Sequence, residues 1–295
     1  WSRGDGDQLG NLNFGVKTGV YFREQIQFPF FMHFLKDKPM DLPEAFMFVT
    51  GLNEWRKLDQ WTPQDAVPQT LYLQGSGQLK TTAPTDENAF DEYVSDPKKP
   101  VPYTNGIYAH RNNDYMAEDQ RFAAIRPDVL VYESDILDKD ITIAGEIKTD
   151  LLVSITGSDA DFIVKLIDVL PDNEPNFKNA PRGFQMAGYQ RLVRAEVMRG
   201  KFRNSLEKPE AFLPGVVTQV KFNLNDVAHT FKKGHRIMIQ IQSTWFPFID
   251  RNPQKYVDNI YKANDEDFIK STIRVYGSSV IEIGGGTKAK VELKK

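Results

Sequence analysis

The chain has 295 residues, enough for one large domain or two smaller ones around a sizeable core. Its 37 basic and 40 acidic residues leave a formal net charge of -3, which argues against a nucleic-acid partner needing a concentrated basic surface. There is no cysteine, so disulfides, thiolate chemistry and cysteine-ligated metals are excluded, and no apolar run approaches the ~20 residues of a membrane helix.

The chain opens on Trp1 with no secretory leader, which reads as a processed or truncated product. The compartment stays open: bacterial periplasm, secretion or cytoplasm. Residues 1–16 are rich in Gly, Asp and Asn and predict loop. Over 17–36, Val20, Tyr21, Phe28, Phe31, Phe34 and Leu35 fall near helical spacing, predicting an amphipathic helix interrupted around Pro29. The run Phe28-Pro29-Phe30-Phe31-Met32 should present an exposed apolar face. A polar, proline-containing link at 36–43 closes this part, so the domain boundary is placed there: 1–41 and 42–295.

Beyond it the pattern changes to short β-branched and aromatic runs punctuated by Gly and Pro. Strands are predicted over 46–50, 71–73, 129–132, 141–144, 151–155, 162–169, 216–224, 236–242 and 271–276, with a turn at Gly75-Ser76-Gly77. Gly284 to Gly286, with the alternation at Val291 and Leu293, suggests a last hairpin. Alternating Ile237, Ile239 and Ile241 imply one buried face. The fold class is mainly β, a jelly-roll β-sandwich. The tail lysines 288, 290, 294 and 295 are a solvated end rather than a binding patch.

A nucleophile elbow, Gly-x-Ser-x-Gly, would hold a serine on a strained turn, and none is present. Gly75-Ser76-Gly77 and Gly157-Ser158 read as turns. Of the four histidines, His33 sits among phenylalanines and should pack; His229 and His235 flank a turn and should be structural. His110, in a loop with Tyr108 and Arg111, is the one placed to face a ligand. Asp5 with Asp7, and Asp159 with Asp161, offer oxygen ligands but lack calcium-loop spacing, so no metal is expected. Asp159 and Asp161 should instead satisfy turn amides. No carboxylate pair stands out for glycoside chemistry. Trp55, Trp61 and Trp245 could stack on sugars, though core packing is the simpler role, above all for Trp245. Arg121 with Asp119, and Arg126 with Asp128, should form bidentate pairs that pin an irregular connection.

Tyr93-Val94-Ser95-Asp96-Pro97-Lys98-Lys99-Pro100-Val101-Pro102 resembles the Tyr-x-x-Asp-Pro-x-x-Pro-Val-Pro segment of the X-Pro dipeptidyl-peptidase-like family. That family includes α-amino acid ester hydrolases, cocaine esterase and glutaryl cephalosporin acylase-like proteins. The resemblance continues in order through Asp119-Gln120-Arg121, the segments 126–132, 156–169 and 190–200, then Arg203-Asn204-Ser205 and Gly234-His235-Arg236, to Trp245-Phe246-Pro247 and Asp250-Arg251-Asn252-Pro253.

The resemblance implies a parent with an α/β-hydrolase domain, a helical cap and a C-terminal jelly roll of galactose-binding-like type. It implies two-step acyl transfer by a serine, histidine and aspartate triad that lies before Trp1. Residues 1–41 would be the last loop and helix of the hydrolase domain, and 42–295 the jelly roll. The chain alone would be inactive, with no cofactor. Its partners would be the upstream hydrolase and cap domains and a small ester, amide or peptide substrate, with self-association open. In such a parent the loop at 104–115 would help wall the substrate pocket through Ile107, Tyr108 and His110. The alternatives are a free-standing jelly-roll module binding carbohydrate or a partner, and a metal-dependent enzyme within the sandwich.

Overall fold

The computed structural model describes residues 4–285, except 65, 179 and 181. Where composition predicts plain loop, the N-terminus makes a two-strand ladder, β1 (Gln8–Leu9) with β2 (Leu12–Asn13). A continuous helical run follows: α1 (Thr18–Tyr21), a π-helical turn Phe22–Gln27, and α2 (Phe28–Lys36). The irregularity therefore lies before Pro29 rather than at it. Proline lacks an N–H and crowds the preceding turn, and the widened turn absorbs both. The Phe28 N–H reaches five residues back, to the Arg23 carbonyl.

The strands are β3 (Ala45–Val49), β4 (Glu54–Leu58), β5 (Val67–Gln74), β6 (Gln78–Lys80) and β7 (Phe90–Ser95). After a short helix, α3 (Arg121–Ala124), come β8 (Leu130–Glu133), β9 (Ile141–Ile155), β10 (Asp161–Val169) and β11 (Gln190–Arg199). The last are β12 (Thr218–Phe231), β13 (Arg236–Gln242), β14 (Ser271–Tyr276) and β15 (Val280–Gly285). One layer is the antiparallel row β11-β10-β13-β8. In the other, β9 pairs with β12 along one edge and with β15 and then β14 along the other, and β14 carries β7. A single parallel bridge, Gln78 to Glu133, joins the layers through β6. The result is the expected β-sandwich.

Several expectations need correction. The two strands predicted at 141–144 and 151–155 are one strand, β9, because Ile143, Ile147, Leu151, Val153 and Ile155 all point into the core while Glu146 and Lys148 face out. β12 runs on to Phe231, so His229 lies on a strand rather than beside a turn, and Val216 and Val217 lie outside it and exposed. Strands β4, β7 and β11 carry many charged or polar residues and gave no run of apolar residues to detect. Gly284 and Gly285 continue β15 instead of turning. The rest of that proposed hairpin lies outside the described residues.

Between the layers, Phe162, Val164 and Leu166 of β10 and Ile237, Ile239 and Ile241 of β13 meet Val220 and Leu224 of β12 and Ile273 and Val275 of β14. These side chains are at most 2 % exposed, and each contributes about 1.5–3 kcal/mol by leaving water. The opposite face of β10 is covered as well, by the loops that build the site below. The β3–β4 hairpin docks on β12 through the bridge Thr50 to His229. This approach requires Gly51: at φ 86°, a Cβ there would lie 2.1 Å from the Thr230 carbonyl oxygen.

Candidate functional site

β11 is the end strand of its layer, and its free edge borders a cavity of about 450 Å³. Leu9, Leu12 and Phe14 from the N-terminal ladder form one wall; Tyr115, Met116, Trp245, Phe248 and Ile249 form another. Strand alternation brings Ile163 of β10 and Leu192, Ala195 and Val197 of β11 against Trp245 and Tyr103. The aromatic wall is held by geometry: Tyr103 stacks on Phe248 at 6.0 Å, and Trp245 meets Phe248 edge-on at 5.0 Å. The Arg111 guanidinium lies 5.0 Å from the Phe248 ring centroid and ties the 104–115 loop to this wall.

That loop is also where the sequence placed its site residues. Ile107 is fully exposed, Tyr108 is 48 % exposed and His110 is exposed as well; none of the three lines the cavity. The end of the loop does, through Tyr115 and Met116. Sequence reading placed Trp245 in the core but did not connect it with Arg191 and Tyr115, which are far from it in the chain, or with its neighbour Phe248. The cluster Trp245-Phe246-Pro247-Phe248 was the available signal.

Beneath the wall, Lys165 is wholly buried on the outer face of β10. Its Nζ donates to Gln120 Oε1 at 3.0 Å and lies 5.2 Å from the Trp245 ring centroid. Burial pushes its pKa down to about 7, opposed by the charge of Glu118. Burial in turn raises the carboxyl of Glu118.

The imidazoles separate into distinct roles. His33 Nδ1 bonds the Lys38 carbonyl at 2.8 Å, tying the end of α2, and its ring meets Phe34 edge-on. His229 and His235 share one carboxylate: His235 Nδ1 lies 2.7 Å from Asp168 Oδ1, and His229 Nε2 lies 3.3 Å from Asp168 Oδ2. Burial alone would raise the Asp168 pKa, but these two imidazoles hold it at about 2. Burial lowers the pKa of His229, against the pull of Asp168. With Asp168 ionised, His229 presents Nε2–H to it and leaves Nδ1 as an acceptor, 2.8 Å from the Thr50 hydroxyl.

Hydroxyl, imidazole and carboxylate in a row resemble a hydrolytic triad; Thr50 borders the cavity along β11, but the imidazole behind it is sealed. His229 is 0 % exposed, and both ring nitrogens are covered by their partners. The single Thr50 hydroxyl proton is shared with the Ala228 carbonyl at 3.2 Å. An imidazole that must pass a proton to a leaving group needs contact with substrate, and this one has none. Its role is to latch the β3–β4 hairpin onto β12, β10 and the start of β13.

The acidic pair expected to cap turns does so in part. Asp159 Oδ1 accepts from the Ala160 and Lys201 amides at 2.9 and 3.0 Å, and burial together with the charge of Asp161 raises its pKa to about 6. Asp161, by contrast, is 1 % exposed and pairs with Arg199 at 3.1 Å and with Asn252 at 2.8 Å. No group of metal-ligating side chains is found among the described residues. Arg126 grips Asp128 in bidentate fashion at 2.8 and 2.7 Å, as expected, whereas Arg121 meets Asp119 through Oδ2 alone, at 2.6 Å, because Oδ1 takes the Arg121 and Gln190 amides. Trp55 stacks on Tyr21 at 5.2 Å, Trp61 Nε1 donates to Asp226 at 2.5 Å, and Trp245 is 4 % exposed. None of them is a bare sugar platform.

Comparison with known proteins adds three findings. The family described as the X-Pro dipeptidyl-peptidase C-terminal non-catalytic domain matches residues 37–280. Cocaine esterase of Rhodococcus sp. strain MB1 Bresler is 31 % identical over 219 residues, covering 72 % of this chain and 36 % of that protein. Two solved structures superpose with a TM-score of 0.89. One is an aminopeptidase from a marine sediment Thaumarchaeota archaeon, at 39 % identity over 96 % of this chain and 47 % of that one. The other is an α-amino acid ester hydrolase, at 38 % identity over 96 % of this chain and 48 % of that one. The chain thus spans about a third of the esterase and about half of each solved chain.

Proposed function

The chain belongs to the X-Pro dipeptidyl-peptidase C-terminal non-catalytic domain family, and from this premise we propose that it serves as the supporting domain of a serine hydrolase that cleaves ester or amide bonds. In this reading the triad stands on an α/β-hydrolase portion upstream. Residues 1–41 are the closing loop and helix of that portion, and 42–295 form the jelly roll. The exposed 104–115 loop, with Ile107, Tyr108 and His110, reaches over the substrate pocket from the side.

The observation that carries the proposal is the bare face of α2. Phe28 is 62 % exposed, Phe34 60 % and Leu35 69 %, with Phe30 and Phe31 beside them. So many neighbouring aromatics in water call for a partner. The helix ends at Lys36, immediately before the family match begins at 37, so an upstream portion of the same chain is the natural cover. Nothing observed favours a free-standing sugar-binding module.

The absence of cysteine makes a clean test available. A single Phe31→Cys thiol should react readily with a maleimide in the 295-residue chain and be protected in the longer protein. Equal reactivity in both would remove the upstream portion as the cover. The loop is tested separately: Tyr108→Ala in the longer protein should raise KM several-fold while leaving kcat nearly unchanged. An unaltered KM would take the loop out of the pocket wall.

A further inference from the structure

The cavity along β11 has an uneven supply of hydrogen-bonding groups. Its walls are apolar, through Leu12, Phe14, Trp245 and Phe248, yet donors without acceptors collect on the same lining. The Arg191 guanidinium makes no hydrogen bond among the described residues; burial disfavours its charge, and it feels Tyr189 and Asp168, the latter already occupied by both imidazoles. Arg194 Nε and the Nε1 of Trp245 are buried with no partner, Trp245 being 4 % exposed.

The acceptors on that lining are engaged. Glu196 takes the Val197 amide at 2.9 Å and the Asn225 amide group at 3.1 Å. Arg191 is thus left on the lining of a space bounded by aromatic rings without an acceptor, whereas Arg194 bonds the Asp226 carbonyl. A buried donor without an acceptor is costly, and a charged one more so. A cationic ligand would be repelled here, and a plain hydrocarbon would leave Arg191 unmet.

We propose that this cavity binds a small amphipathic carboxylate, its acid group on Arg191 and its aromatic or aliphatic body against Trp245, Phe248 and Leu12. A planar guanidinium matches a carboxylate with two parallel hydrogen bonds, which gives orientation as well as attraction. The volume lies in the range of small-ligand pockets and accommodates an arylalkanoate. The proposal concerns this chain's own cavity and does not rest on the acyl-hydrolase reading, so either can fail without the other.

Phenylacetate serves as the probe and phenylacetamide as its uncharged control, titrated into the 295-residue chain by calorimetry and by NMR of the indole N–H resonances. Saturable binding of the acid should shift the Trp245 signal, and the amide should bind at least about tenfold more weakly, a gap of roughly 1.4 kcal/mol. Arg191→Gln should weaken the acid at least tenfold, and Ala195→Trp, which fills the cavity, should abolish binding. Should Arg191→Gln fail to fold, the contrast between acid and amide on the unaltered chain decides. No saturable binding, equal binding of acid and amide, or undiminished binding by a folded Arg191→Gln would overturn the proposal.

Discussion

At the scale of single residues, the interior holds charges that hydrophobic patterning alone does not reveal. Lys165 occupies an outward position of β10 in an otherwise apolar run, and the sequence offers no sign that loops cover that face. Its folded pKa of about 7 lies below the usual 10.5, so between these values the unfolded chain binds more protons and stability rises with pH. The slope in that window is at most about 1.4 kcal/mol per pH unit. Lys165→Met should therefore flatten the dependence of the urea midpoint on pH from 7 to 10; an unchanged slope would mean the amine is not desolvated. Asp168 works in the acid range. Its folded pKa of about 2 lies below 3.8, so its contribution is present above 3.8 and is lost as pH falls towards 2. Depression of the His229 pKa acts in the same direction, stabilising fully above 6.5 and less as pH falls below it. Asp168→Asn strips the charged acceptor from two imidazoles and should cost about 1.5–3 kcal/mol at pH 7, as for a lost hydrogen bond to a charged group, read from equilibrium denaturation. A loss below 1 kcal/mol would show that the latch does little. Trp245, by contrast, was legible as core from its sequence neighbours, and Trp245→Ala should cost about 3–5 kcal/mol.

At the scale of elements, strands with β-branched inward positions were readable, and those with charged faces were not. β10 announces itself by a near-continuous apolar run, and β13 by the alternation of Ile237, Ile239 and Ile241; the other face of β13, expected to be partly exposed, is buried too, with Met238, Gln240 and Gln242 at 0 %. β11 does not, since it is an edge strand with mixed residues, and its edge is guarded by polar groups. Glu196 folds back on the Val197 amide, and Arg194 reaches the Asp226 carbonyl at the β12 bulge. Such caps discourage pairing with another chain. β9 was read as two strands because Gly145 and the charges after it look like a break. The glycine instead sits at φ 120° opposite the bulge of β12, between Leu224 and Val227. Hairpin docking has a sharp steric test. Gly51→Ala places a methyl against the Thr230 carbonyl and should open the β3–β4 hairpin, exposing the Thr50 and Thr230 amides to hydrogen exchange. Unchanged protection of both amides would contradict the close approach.

At the scale of the whole molecule, the sandwich and its family were legible because the Tyr93 to Pro102 segment and the ordered motifs after it are specific. The cavity was not, since its lining comes from the N-terminal ladder, the end of the 104–115 loop, β11 and the Trp245 segment, and only the fold brings these together. The same is true of the latch, whose Thr50, Asp168 and the neighbouring His229 and His235 lie on three separate parts of the chain. His33, His229 and His235 are committed to holding structure, and in the row that resembles a triad the imidazole is closed to substrate. The most direct measurement is therefore to incubate the purified 295-residue chain with a fluorophosphonate probe and, in parallel, with p-nitrophenyl butyrate. No covalent label and no release of nitrophenol above the buffer rate are expected. Labelling at Thr50 that disappears in His229→Asn, together with nitrophenol release, would show that this chain carries out acyl transfer itself.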